Sequence, residues 1–401
     1  MSLDMTTFDA ALKVHYTDDR VKNLVYKNNP LLAMIPKMES FGGKNLPIPI
    51  QYGVPGSRSA SFTDALNQKN AAFAGGINRS SKIEDFVLTR VKDYCLASID
   101  NETLEASVGN PNAFMEAAAT EINSAIHSCA RSLATALFRD GTGIIGAVNA
   151  VAVDTVDLSV DDDVVNFEVG MTVDYIQLPG LALGGLPQVI IAVDRDAGTI
   201  TLQAGGGAAW TGGPGWTGAN SIVCEGDYNA KISGLAAWVP DAAPGAALFF
   251  GVDRSVDTSR LGGVRHAGAG AGAKVQSLTE GSARLAREGG RPTHCFMNFT
   301  DYGLLLDELN DKVRYVDAKA HDLGEMSFSA LQLHTPSGTV TVVPDHNCPP
   351  GRAYLLQMDT WKLYSLGGAP KILQTDGMRF LRESAHDGVE VRVGYYAQLG
   401  C

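Results

Sequence analysis

Apolar and polar positions alternate along Leu46-Pro47-Ile48-Pro49-Ile50-Gln51-Tyr52, the period-two signature of a strand. Pro47 and Pro49 lie two apart, so their missing N–H groups point to one side and the strand must be an edge there. A second run, Asp85 to Tyr94, also reads as a strand and can pair with it. Between them Val54 to Glu84, about thirty residues rich in Ser, Ala, Gly and Asn, is too long for an idle loop in a compact domain. A hairpin of this size reaches on the order of 70–80 Å at ~3.3 Å per residue. Such an arm cannot bury itself on its own domain and needs a neighbouring subunit.

The period then changes. Phe114, Ala118, Ile122, Ala125, Cys129, Leu133 and Ala136 recur at helical spacing. Asn110 can cap this helix, Pro111 suits its first turn and Asp140-Gly141 stops it. A helix over 112–139 spans about 40 Å. Upstream, 1–45 reads as an arm, partly helical from Thr7 to Val25 and broken at Asn28-Asn29-Pro30. Downstream, 146–229 reads as all β, with Gln188–Val193 and Thr199–Leu202 flanking a turn at Asp194–Gly198, then a glycine-rich loop from Gly205 to Gly218. A small barrel or sandwich inserted into a host domain fits this pattern. From 230 the chain is mixed. The loop Gly251–Lys274 carries Arg254, Arg260, Arg265 and His266. A helix starts near Ser277, with Glu280 completing a capping box, and Thr300 can cap a second helix bearing Leu304, Leu305 and Leu309. Strands are expected at Cys295–Phe299, Val340–Val343, Ala353–Met358 and Val389–Tyr396.

Composition narrows the class. The 401 residues are 45% hydrophobic and 19% charged, which excludes disorder as the main state. No run of about 18 apolar residues is present, so a membrane span is not expected. The start, MSLDMTTFDAALK, lacks a basic segment and an apolar core, so no secretory signal is expected. The formal charge is −12, and Val148–Tyr228 alone carries −10. That break marks a separate module, and the overall acidity argues against a protein built to grip phosphates. Six cysteines without a C-x-x-C pair read as free thiols in a reducing compartment.

The search for chemistry is mostly negative. Gly268–Val275 resembles a phosphate loop, but Ala273 precedes Lys274 and no Ser or Thr follows it. Asp194 and Asp196 open like a calcium loop, yet Arg195 separates them and no closing Glu follows. Asp161-Asp162-Asp163 reads as a solvated face before a cation site. The pairs His294-Cys295 and His346/Cys348 have no diagnostic spacing. Trp210 and Trp216 read as anchors of the glycine-rich loop before a stacking platform. No catalytic residue, metal ligand or cofactor is expected. For Arg58, Asp64, Lys69, Arg79, Lys82, Glu84, Arg90 and Lys92, all on the long hairpin, pairing with another subunit competes with plain solvation.

The order of parts resembles that of tailed-phage major capsid proteins of the Hong Kong 97 fold. The most family-like strings are Ala286-Arg287-Glu288-Gly289-Gly290-Arg291-Pro292-Thr293-His294-Cys295-Phe296, Asp359-Thr360-Trp361-Lys362-Leu363-Tyr364-Ser365-Leu366-Gly367 and Val391-Arg392-Val393-Gly394-Tyr395-Tyr396. The resemblance implies an α+β fold. Its parts are an N-arm (1–45), an extended loop (46–95) and a peripheral domain with a spine helix (96–145). An inserted acidic β domain (146–229), an axial domain (230–380) and a closing peripheral strand (381–401) follow. It implies hexamers and pentamers of an icosahedral shell enclosing double-stranded DNA without sequence-specific contacts. Arg254, Arg260 and Arg265 would lie near the capsomer centre, and Trp210 and Trp216 in an exterior loop. The implied partners are the chain itself and scaffolding, portal and decoration proteins, with no membrane. The implied location is a virion capsid assembled in a host bacterial cytoplasm. No helical scaffolding segment is evident before the arm, and the abrupt stop at Leu399-Gly400-Cys401 leaves room for a short continuation. Two rivals remain open: an encapsulin-like compartment, and a carbohydrate-binding surface protein working through the β module.

Overall fold

The computed structural model describes residues 29–70, 80–100, 111–177, 182–213, 216, 220–268, 274–309, 314–319, 327–374, 381–382 and 387–401. The expected helix within 7–25, the Asn110 cap and Arg79 lie outside the described residues. The chain enters through α1 (Pro30–Met34), β1 (Lys37–Met38) and β2 (Asn45–Gly53). Then come α2 (Phe62–Asn70), β3 (Lys82–Thr89), β4 (Val91–Asp100) and the long α3 (Pro111–Phe138). A β segment follows: β5 (Ile144–Ala152), β6 (Thr155–Leu158), β7 (Thr172–Gln177), β8 (Ala182–Leu183), β9 (Gln188–Asp194), β10 (Thr199–Leu202), α4 (Gly206–Thr211) and β11 (Ser221–Cys224). Next are α5 (Leu235–Trp238), the short hairpin β12 (Leu248–Phe249) and β13 (Val252–Asp253), α6 (Lys274–Arg287), β14 (His294–Met297) and α7 (Phe299–Leu309). The remainder is strand: β15 (Arg314–Lys319), β16 (Ser327–Thr335), β17 (Gly338–Pro344), β18 (Ala353–Leu356), β19 (Lys362–Ser365), β20 (Lys371–Ile372), β21 (Leu381–Arg382) and β22 (Gly388–Gly400).

The platform is a sheet organised by β22. Along one edge β4 pairs antiparallel with it from Gly388↔Asp100 to Ala397↔Val91. Along the other lie β19, β20 and β21, and β1 extends the sheet parallel to β19. Alternate residues Val391, Val393, Tyr395, Ala397 and Leu399 are buried in one core with Cys129, Leu133, Ala136 and Leu137 of α3. The sequence suggested one strand over 85–94, but the chain breaks at Arg90. Phe86 and Leu88 are buried at even positions and Ala97 and Ile99 at odd ones. A single pleated strand cannot put both sets on one face, so β3 serves the hairpin and β4 the platform.

The β segment closes on itself. Its order is β11-β5-β6-β10-β9-β7, and β7 pairs back to β11, with β8 appended to β7. The interior is filled by Val148, Val156, Leu158, Phe167, Val173, Tyr175, Ile190, Ile200, Leu202, Trp210 and Ile222, a core distinct from that of the platform. A ring this small has room only for side chains. The glycine-rich loop contributes α4, and there Gly207 is required: a Cβ would sit 1.8 Å from the Val153 carbonyl oxygen. Asp154 accepts the N–H groups of Gly205 and Gly207 at 3.1 Å each. The acidic run is not a free solvated face. Asp163 is nearly buried and paired with Arg139 at 2.5 Å, while Asp162 accepts the Thr300 hydroxyl at 3.2 Å.

The third unit is a sheet in the order β15-β16-β17-β14-β18, with α6 and α7 contributing Leu278, Tyr302 and Leu305 to its core. Both expected caps differ. Helix α6 starts at Lys274, where the Glu308 carboxylate of α7 accepts the N–H groups of Lys274 (2.8 Å) and Val275 (2.9 Å). For α7 it is Asn298 whose side-chain oxygen accepts the Thr300 N–H, at 3.0 Å. A carboxylate from another helix satisfies the same orphan donors that a local cap would.

Two buried polar nodes lock the units together. Asp345 accepts the N–H of Leu31 and both the N–H and Nδ2 of Asn347. Asn347 also donates to Asn29 and accepts from Thr135 of α3. The second node is Lys231, just past the barrel. Its Nζ lies 2.8 Å from Asp93 of β4, 3.0 Å from Asp227 and 3.0 Å from the Ser132 hydroxyl of α3. Tyr395 of β22 donates to the same Asp93 oxygen at 3.1 Å. Burial opposes the charge on Lys231, but Asp93 and Asp227 outweigh it and hold its pKa above the ordinary value.

Lys231→Met leaves two largely buried carboxylates without their cation, so it should cost about 3–5 kcal/mol of stability, read from urea unfolding. A pH effect is expected at Lys37, whose ammonium burial lowers to about 8 against the opposing pull of Glu39. Between about pH 8 and the unfolded value of ~10.4 the unfolded chain binds more protons, so this group makes stability rise with pH across that window. Lys37→Met should remove the rise, seen as a smaller gain in urea midpoint from about pH 7.5 to 9.5 than the parent shows.

Candidate assembly surface

The pairing of β2 with β3 matches the hairpin read from the sequence, with Leu46↔Leu88, Pro47↔Val87 and Ile48↔Phe86 in register. The Val87 N–H points away from β2 and donates to the Phe250 carbonyl at 2.8 Å. Its partner Pro47 therefore also turns its missing donor outward, and Pro49 does the same. Prolines thus blunt the open edge of the ribbon. The base of the arm does find cover within the monomer, contrary to expectation. Phe86 and Leu88 are buried, and Leu46, Ile48 and Ile50 pack against the same core. Phe86 meets Trp238 edge-on at 5.0 Å.

Beyond Tyr52 the arm loses that support. Val54 is 74% exposed, Ile83 63%, and Phe62 81%. Phe62 and Leu66 stand one helical turn apart on α2 and share a face. A lone exposed apolar side chain is ordinary, but several grouped on one projecting segment mark a contact surface. The sequence reading singled out the charges of this arm and missed these positions. The Phe-x-x-x-Leu spacing of a short amphipathic helix was the available signal.

The charged residues of the arm divide. Arg58, Asp64, Lys69 and Lys92 are exposed and Lys82 half-buried, and none has an ion-pair partner among the described residues. The Arg58 backbone N–H donates to Gln68 at 3.2 Å, and Asp64 occupies the first turn of α2. Glu84 accepts the Tyr52 hydroxyl at 3.1 Å. Arg90 is engaged internally: it donates to the Phe41 carbonyl at 2.5 Å and its guanidinium sits 5.0 Å from that ring centre. It closes the bend between β3 and β4 and is not free for a neighbour.

The arginine loop also divides. Arg254 is 8% exposed, donates to the carbonyls of Ala237 and Trp238 at 2.8 and 3.1 Å, and lies 3.9 Å over the Phe249 ring. Burial, with Arg265 adding repulsion, lowers its pKa. It is an internal clamp. Arg265 likewise holds its own loop through the carbonyls of Thr258, Gly262 and Gly263. Arg260 is exposed, pairs loosely with Asp257 and donates to the Tyr52 carbonyl at 2.8 Å. It ties the loop to the arm where the arm leaves the body.

Trp210 is fully buried and donates its indole N–H to the Leu186 carbonyl at 2.8 Å. Trp216 packs edge-on against Tyr175 at 5.2 Å. Trp210 therefore fills the barrel and offers no open face to a sugar or base. Among the described residues no group of three or more His, Cys, Asp or Glu side chains is placed to hold a metal ion, and no helix is long and apolar enough to cross a membrane.

No family model and no curated protein matches the sequence. Among solved structures the chain is similar to a subunit of the cyanophage A-1(L) capsid asymmetric unit, at 11% identity and a TM-score of 0.46, covering 100% of this chain and 95% of that one. It is similar to a chain of the capsid of a native GTA particle, at 11% identity and 0.42, covering 97% and 88%. A chain from Mycobacterium phage Adephagia gives 9% identity and 0.42, covering 100% and 92%.

Proposed function

We propose that this chain is a shell-forming structural subunit, a major capsid protein of the Hong Kong 97 kind that assembles into hexamers and pentamers around double-stranded DNA. The observation that carries this reading is the arm. Its base is anchored on the body, while its distal half presents Val54, Phe62, Leu66 and Ile83 to solvent. Covering one such side chain is worth about 1.5–3 kcal/mol, and a closed shell repeats that gain at every subunit. In this reading 1–45 is an N-arm that ties capsomers, 46–95 lies over an adjacent subunit, and α3 with the β22 sheet forms a stiff plate. The free charges Arg58, Asp64, Lys69, Lys82 and Lys92 then set the register of that contact more than its strength. The net charge of −12 suits a wall that encloses close-packed phosphates without gripping them. Scaffolding, portal and decoration proteins, a virion location and assembly in a bacterial cytoplasm belong to the same proposal.

The test is assembly of the purified full chain, followed by sedimentation and negative-stain microscopy. The parent should form closed shells. Phe62→Ser with Leu66→Ser should keep the parental unfolding free energy from urea titration within about 0.5 kcal/mol, as expected for exposed positions. It should also raise the concentration needed for assembly by at least about tenfold, since 1.4 kcal/mol per contact suffices for that. A parent chain that stays monomeric at every concentration and salt tested would overturn the reading. Particles isolated from cells that make the chain, if mass spectrometry finds an enzyme inside them in place of DNA, would replace it with the compartment alternative.

A further inference from the structure

We propose that the cavity between α6, β18 and Trp361 binds an uncharged aromatic heterocycle, a flat ring system with a hydrogen-bond donor and an acceptor on its edge. The cavity encloses about 580 Å³, within the range of small-molecule sites. Helix α6 walls it with Leu278 and Leu285, β18 with Tyr354 and Leu356, and the loop before α6 with His266. Leu278 belongs to the core of the third unit, whereas Tyr354, Leu356 and Trp361 belong to the platform core. An occupant therefore touches both units at their junction. The apolar wall and the rings of Tyr354 and Trp361 favour an aromatic guest.

Charge in this wall is already matched. Lys274 Nζ lies 2.8 Å from Asp301, and the Arg352 guanidinium lies 2.5 Å from Asp241. An ionic guest would have to break one of these pairs. The open capacity is neutral. Tyr354 is only 7% exposed, and its hydroxyl makes no hydrogen bond of good geometry among the described residues. Arg352 is its polar neighbour, but that guanidinium is engaged with Asp241. The Tyr354 ring packs against Phe138 at 6.0 Å, which fixes where the hydroxyl stands.

His266 offers the second open group. Both ring nitrogens are sealed from solvent and make no hydrogen bond among the described residues. The Glu280 carboxylate stands 3.3 Å from Nε2, a contact that becomes an ion pair only when the imidazole carries a second proton. A neutral imidazole has one donor and one acceptor, and a tyrosine hydroxyl has both. Buried groups of this kind are costly to leave unmatched. A guest edge with one donor and one acceptor matches them, and its binding to the folded chain raises stability by mass action.

The test uses the purified full chain and benzimidazole, whose ring carries one N–H donor and one bare nitrogen, at mildly alkaline pH where it is uncharged. Calorimetric titration should show one saturable site per chain with a Kd below ~1 mM. The urea midpoint should rise with probe concentration. Tyr354→Phe removes only the hydroxyl. It should weaken binding about fivefold, the loss expected for one hydrogen bond, and leave the midpoint of the free chain at or above the parental value. Gly281→Leu fills the cavity from α6, since Gly281 is part of the wall. A Cβ there meets nothing closer than Leu355 at 3.6 Å and His266 at 3.7 Å, and a helix former replaces a glycine. Binding should be lost. No saturable binding up to ~10 mM, or equal affinity in the parent and both variants, overturns the proposal. So does a Tyr354→Phe chain clearly less stable than the parent, because the hydroxyl is then spent within the protein. The site lies inside one chain, so its outcome is independent of shell formation.

Discussion

The antiparallel pairing of β4 with β22 is the constraint on which the rest of the molecule depends. It joins residues 91–100 to 388–397, closing most of the chain between them into one loop. Closure of so long a loop costs entropy that only packing can offset, and α3 supplies that packing through Cys129, Leu133, Ala136 and Leu137. The Lys231 node gives the pairing its register. Asp93 on β4, Ser132 on α3 and Tyr395 on β22 meet around one ammonium. A one-residue slip of β4 would turn Asp93 to the opposite face and leave that ammonium without its closest carboxylate. An ion pair this buried adds little net stability over an apolar substitute, but it makes the alternatives expensive.

The arm follows from how β4 is used. Because β4 is committed to the platform, the chain bends at Arg90, and β3 is left to pair with β2 alone. A two-stranded ribbon is marginal in water without a face to pack on. The body provides one for its base, through Phe86, Leu88 and the aromatic group around Trp238 and Phe249. Its open edge is protected by Pro47 and Pro49. What remains unsupported is the distal part with α2, where Val54, Phe62 and Leu66 are exposed. Stable at the root and unsatisfied at the tip is the arrangement expected of a segment completed by another molecule.

The barrel stands between α3 and α5 in the chain with a core of its own. It touches the host through a few directed contacts, Arg139–Asp163, Arg131–Glu168 and Thr300–Asp162. Its acidity is partly structural. Asp154 caps α4, Asp163 pairs with α3, and Asp174 accepts the N–H groups of Tyr175, Gly185 and Leu186. Exposed acids such as Asp161, Asp194 and Asp196 supply the remaining surface charge. A run of like charge in a sequence therefore does not by itself define a binding face.

What the sequence determined is what local periodicity and local chemistry can encode. Helical spacing marked α3 over 112–139, and the structure has it at Pro111–Phe138. Alternation and two prolines marked β2 as an edge strand paired with the run after Asp85. A break in charge set off the β segment, and turn residues located its β9–β10 hairpin. Tertiary structure decided everything that depends on distant partners. The change of phase between Leu88 and Ala97 acquired meaning only once two different sheets were there to receive the two halves. Arg90 and Arg254, indistinguishable in sequence from solvated arginines, became internal clamps because carbonyls and aromatic rings from other segments surround them. A residue's face is set by its near neighbours along the chain, whereas the partner it meets there is set by segments tens to hundreds of residues away.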